Sequence, residues 1–121
     1  MDIEIVVNLQ VEGFHRWEKA LKEVEFLSHD HRHIFHITCW KKVPHDDRAV
    51  EIITFKREIK DYLEEQYPPY TEGMRYEEGY CPFCYFDTLS CEGIAKDLLN
   101  HFKLSMCQVM EDGENGVICK I

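Results

Sequence analysis

The sequence lacks both a surplus of positive charge and any long apolar run. Fourteen basic residues face 23 acidic ones, a formal net charge of -9, and a chain of that sign repels phosphate backbones and anionic lipid headgroups. The expectation is therefore no nucleic acid and no membrane as partner. With no apolar stretch of membrane-spanning length, no secretory pattern and no low-complexity tract, a cytoplasmic protein of one domain, residues 1–121, is expected.

Six cysteines are present, and without a secretory context they read as reduced thiols suited to metal binding or catalysis rather than as a disulfide framework. A chain of 121 residues, 45% apolar, can form a core but leaves burial that an oligomer would complete.

Periodicity supplies the elements. Ile3, Ile5, Val7, Leu9 and Val11 recur every second residue, a half-buried strand whose parity Gly13 and His15 continue. Residues 16–30 are open between a short helical turn and a long excursion. From His33 to Trp40 the chain is rich in β-branched and aromatic residues and predicts a second strand ending near Val43, followed by a turn at 44–48. A helix is predicted over about 53–65, with Phe55, Ile59, Tyr62 and Leu63 on one stripe. The stretch 66–88, with Pro68-Pro69 and Cys81-Pro82-Phe83-Cys84, reads as an irregular connection. Ser90 is a fitting N-cap for a second helix to about Phe102, and strands at 104–111 and 117–121 flank an Asp112-Gly113 hairpin. The order strand, strand, helix, helix, strand, strand predicts an α+β fold: a four-stranded antiparallel sheet with two helices on one face.

Three of the seven histidines share a geometry. His31 and His33 project from one strand face, and His15 ends the first strand in register with its apolar face. If the two strands pair, the rings converge on one point, and three imidazoles with a fourth position open match a catalytic zinc site. A solvated polar turn is the competing reading of His31-Arg32-His33.

Gly13-Phe14-His15-Arg16-Trp17, His31-Arg32-His33-Ile34-Phe35, Val50-Glu51-Ile52-Ile53-Thr54-Phe55-Lys56, Ser90-Cys91-Glu92-Gly93-Ile94-Ala95 and Val109-Met110-Glu111 resemble, in that order, the motifs of the 6-pyruvoyltetrahydropterin and 6-carboxytetrahydropterin synthase family. The resemblance covers residues from about 9 to 112, apart from 66–88. It implies the tunnelling fold (T-fold), a homo-hexamer, Zn2+ bound by His15, His31 and His33, and Glu111 anchoring a pterin-like or purine-like ring. The implied function is zinc-dependent processing of a dihydroneopterin triphosphate-like ligand; the alternative is a non-catalytic binding protein that sequesters or senses a pterin or guanine-type nucleotide.

The pattern breaks in three places. Leu27 stands where the family carries its proton-moving cysteine, and Gln66-Tyr67-Pro68-Pro69-Tyr70 has no Asp-His pair. Both changes remove acid-base groups, which normally contribute about 10²–10⁴-fold in rate. Arg32 replaces a glycine between the two histidines; it reads either as a ligand contact or as an ion-paired surface side chain. Cys81 and Cys84 are the candidates for a relocated catalytic thiol. With Cys91 they could instead hold a structural metal, or Cys91 packs in the second helix while Cys81 and Cys84 form a redox-labile pair.

Overall fold

The computed structural model describes residues 1–69 and 83–121. Two long strands, β1 (Ile3–His15) and β2 (His31–Val43), dominate it. They pair antiparallel in unbroken register from Ile3 opposite Val43 to His15 opposite His31. Strand alternation then sorts the side chains: Val7, Leu9 and Val11 of β1 and Phe35, Ile37 and Cys39 of β2 are buried on one face, while Glu12 and Arg32 lie outside.

Residues 16–30 form a loop around a 3-10 segment, Lys22–Ser28, none of whose residues is buried. The Trp17 amide donates to the Leu27 carbonyl at 2.7 Å and closes this loop.

Helix α1 (Ile52–Gln66) buries Phe55, Ile59 and Leu63. Its N-cap is Glu51, whose carboxylate accepts from the Ile53 and Thr54 amides at 2.6 and 3.0 Å. Helix α2 (Cys91–Phe102) is capped by the Ser90 hydroxyl, which accepts from the Gly93 amide at 3.1 Å, and it buries Cys91, Ile94, Ala95 and Leu98. Both helices join one core with the inner sheet face. Asp97 of α2 ties them together by accepting from Tyr62, at 2.8 Å, and from Tyr67.

The α+β class is observed, but the sheet differs from the expected four antiparallel strands. It has five, in the order β3-β1-β2-β4-β5, and is open. The addition is β3 (Cys84–Asp87), which runs parallel to β1 with Cys84 opposite Gly13 and makes the sheet mixed. The connection expected to be irregular over 66–88 is thus a strand in its last part. Four residues with two buried positions are too few to stand out as a period of two. Strands β4 (Met106–Glu111) and β5 (Asn115–Lys120) complete the sheet through a tight hairpin. There Asp112 and Gly113 have φ of 55° and 71°, and the Glu114 amide donates to the Glu111 carbonyl at 3.0 Å. Positive φ at both central residues is the type I′ pattern that matches strand twist. Among the described residues no helix is long and apolar enough to cross a membrane.

Candidate metal centre

The pairing of β1 with β2 does what the parity of their sequences requires. His15 stands opposite His31, and His33 opposite Gly13, so all three rings share the inner face. Their centroids lie 4.6, 5.0 and 5.4 Å apart, and one ligating nitrogen from each falls within 4.8 Å of the others.

Gly13 opens the space for this packing. A Cβ there would stand 2.6 Å from the Phe86 ring and 2.9 Å from the Phe35 ring. Phe35, fully buried, sets its ring edge-to-face against His15 and His33 at 5.3 and 5.6 Å. An aromatic floor therefore fixes the planes of two imidazoles.

Each ring is also oriented through its Nδ1. That of His15 lies 2.9 Å from the Leu89 carbonyl, that of His31 2.9 Å from the His29 carbonyl, and that of His33 2.7 Å from a carboxylate oxygen of Asp112. Carbonyl and carboxylate oxygens only accept, so Nδ1 donates in each case, and the neutral ring carries its lone pair on Nε2. This is the arrangement by which ligating histidines are held, with the second nitrogen anchored on an acceptor. The Nε2 atoms of His15 and His33 are buried without a hydrogen-bond partner, a state that is costly unless a ligand completes it.

Glu111, at the end of β4, points into the same cluster. Its carboxylate oxygens lie 3.4 Å from His15 Nε2 and 3.2 Å from His33 Nε2, close enough to act electrostatically but off the hydrogen-bonding direction. Burial would lower the His15 pKa; the Glu111 carboxylate and the Leu89 carbonyl outweigh it and raise the value. Contact with His15 holds the Glu111 pKa low against its own burial, and the Cys91 thiol adds to this by donating at 3.2 Å. Asp112 is likewise held low, first by His33 and then by the Ile34 amide.

Beside the cluster lies a cavity of about 430 Å³, walled among others by His15, His31, Trp17, Leu27, Cys91 and Glu111. That volume falls within the range of small-molecule sites, roughly 300–1,000 Å³.

The remaining candidates lie elsewhere. Arg32 is on the outer sheet face and pairs with Glu12 at 2.7 Å, so the ion-paired reading describes it and it is not among the cavity's lining residues. Cys84 is buried in β3 with its sulfur 3.7 Å from the Leu63 carbonyl. It pairs with Gly13 across the sheet and is absent from the described wall of the cavity. Cys81 falls outside the described residues. Cys39 and Cys107 are fully buried opposite each other, in keeping with core roles. Sequence reasoning missed Asp112, Leu89 and the placement of Cys91. The first could have been found, because an Asp-Gly turn directly after Glu111 must lie at the same sheet end as His33.

No family model matches the sequence, and no curated protein does. Among solved structures the chain is similar to an uncharacterized protein from Wolinella succinogenes, with a TM-score of 0.64 and 12% identity over 99% of this chain and 98% of that one. At that identity the likeness concerns the fold, which the two chains share over their whole lengths.

Proposed function

We propose that this chain is a zinc-dependent, pterin-processing protein of the tunnelling fold, related to the 6-pyruvoyl- and 6-carboxytetrahydropterin synthases and acting on a dihydroneopterin triphosphate-like ligand. One observation carries the reading. Three imidazoles, each anchored through Nδ1, bring one ligating nitrogen apiece within 4.8 Å of the others beside a ligand-sized cavity.

The donor set fits the metal. Imidazole nitrogens suit zinc and poorly suit magnesium or calcium, and His15, His31 and His33 would hold the ion with a fourth position left for substrate. Bound there, zinc would polarise the vicinal hydroxyls of a pterin side chain and lower their pKa. Glu111 supplies a carboxylate for the amino and ring N–H groups of the ring, a bidentate charge-assisted pair. Trp17 adds flat apolar surface to the cavity wall. The family further implies a cytoplasmic homo-hexamer.

A second reading, a binding protein that sequesters or senses a pterin or guanine-type nucleotide, is favoured by Leu27, an inert side chain on the cavity wall. The two separate on incubation of purified, zinc-loaded protein with dihydroneopterin triphosphate. Consumption that His33→Ala abolishes supports the enzyme. Zinc-dependent binding without product, lost in Glu111→Ala, supports the binding protein. Neither binding nor turnover would overturn both.

A further inference from the structure

The Glu111 carboxylate has two imidazole neighbours, and neither gives it a hydrogen. With Nδ1 donating in each ring, Nε2 of His15 and of His33 carries a lone pair, and both atoms are buried without a hydrogen-bond partner. The donor that Glu111 does have is a thiol. Cys91 Sγ donates to Glu111 Oε1 at 3.2 Å, and among the described residues this is the one hydrogen bond that the carboxylate accepts. Cys91 is the first residue of α2, directly after the Ser90 cap, and only 6% exposed, so packing holds its sulfur beside the end of β4 where Glu111 lies. Both residues line the cavity. Burial and the nearby carboxylate raise the thiol pKa and keep the proton on sulfur, ready to donate.

We propose that Cys91 is a positioning residue, whose thiol holds the Glu111 carboxylate in the orientation that accepts from a ring amino group and the adjacent ring N–H together. The proposal rests on the ring-anchoring reading of Glu111 above and adds the group that makes the anchor selective. A glutamate side chain is long and free to rotate, and the plane of its carboxylate decides whether two parallel donors are met or only one. The thiol takes one lone pair of Oε1 and leaves the second lone pair of that oxygen, and those of Oε2, to other donors. A ring that carries the amino group then gains two charge-assisted bonds, and the same ring without it gains one. The metal position left for substrate is untouched, because the thiol acts on the carboxylate.

Equilibrium binding to the zinc-loaded full-length chain tests this, with neopterin and its 2-deamino analogue as probes. The wild type should favour neopterin by about 10- to 100-fold, the worth of one hydrogen bond to a charged group. Cys91→Ala should cut that ratio about 10-fold, chiefly through weaker neopterin binding. Cys91→Ser, whose hydroxyl donates from the same place, should restore it. Zinc affinity should stay unchanged in both variants, because the polar contact of the thiol is with Glu111. Packing damage alone weakens both probes alike. A ratio unchanged in Cys91→Ala, or lowered as far in Cys91→Ser, therefore overturns the positioning role and leaves Glu111 as the anchor. A loss of zinc affinity that tracks the lost ratio assigns the effect to the metal site and overturns the role as well. Cys91→Val, near the thiol in volume and without a donor, gives the same readout should the alanine variant fail to fold. A wild type that binds both probes equally or neither, or a preference that survives Glu111→Ala, overturns the anchor reading of Glu111 and the proposal with it.

Discussion

A histidine suited to hold a metal has its other nitrogen engaged by an acceptor, and for His33 that acceptor is Asp112. One carboxylate oxygen accepts from His33 Nδ1 at 2.7 Å while the other accepts from the Ile34 amide at 2.9 Å. Asp112→Asn cannot serve both donors. Its amide NH2 must face either the imidazole N–H or the backbone N–H, while the left-handed backbone at this residue remains tolerable for asparagine. Zinc affinity should therefore fall about 10- to 100-fold, the usual cost of removing an outer partner of a ligating histidine. Competition against a chromophoric chelator measures this, and an unchanged affinity with an intact circular dichroism spectrum would remove Asp112 from the site. The thiol of Cys91 belongs to the same scale. Burial, reinforced by the neighbouring Glu111 charge, pushes its pKa up, so it should alkylate slowly even though it faces the cavity.

At the scale of elements, the site depends on how closely β1, β2 and β3 approach, and Gly13 sets that approach. Gly13→Ala drives a Cβ to within 3 Å of both the Phe86 and Phe35 rings. The expected cost is about 1–3 kcal/mol of stability, read as a lower urea midpoint, with weaker zinc binding because Phe35 supports His15 and His33. Helix α1 offers a pH prediction. The Ile53 and Thr54 amides hold the Glu51 pKa below its ordinary value, so across the acidic window the unfolded chain binds more protons and stability rises with pH. The carboxylate's contribution is complete above the unfolded pKa, about 4.3, and disappears as pH falls through the folded value. Glu51→Gln should unfold at lower urea than the wild type at pH 7, and the gap should close in acid; a gap constant across pH would assign the effect to packing. What the sequence revealed of these elements followed from repetition. Thirteen-residue strands whose odd positions carry Val7, Leu9, Val11, Gly13 and His15 announce both their pairing and the face of the histidines. Strand β3 was illegible because four residues hold too little periodicity. The Leu89 carbonyl that orients His15 was illegible because backbone atoms leave no trace in residue identity.

The whole molecule raises the question of what covers the outer face of its sheet. Both helices pack on the inner face, and register aligns Val6, Trp40 and Met106 across β1, β2 and β4 on the other. Val6 is 45% exposed and Ile118 of the edge strand β5 is 54% exposed. An open sheet with edge strands β3 and β5 also presents unpaired backbone groups, which invite pairing with another copy. The proposed homo-hexamer would satisfy both demands at once, since ring assembly pairs edges and encloses a sheet face. A net charge of -9 per 14.5 kDa chain opposes such assembly. Self-association should accordingly strengthen with added salt, as screening shortens the reach of that repulsion from about 10 Å at 0.1 M to about 3 Å at 1 M. Sedimentation at micromolar concentration should give a multiple of the chain mass that grows or sharpens from low to high salt. Ile118→Lys, which places a further charge on the edge strand, should shift the population toward single chains while leaving zinc stoichiometry at one per chain, because β5 supplies no histidine to the cluster. A monomer at every salt concentration would sink the assembly, and the three-histidine site would then have to work within one chain.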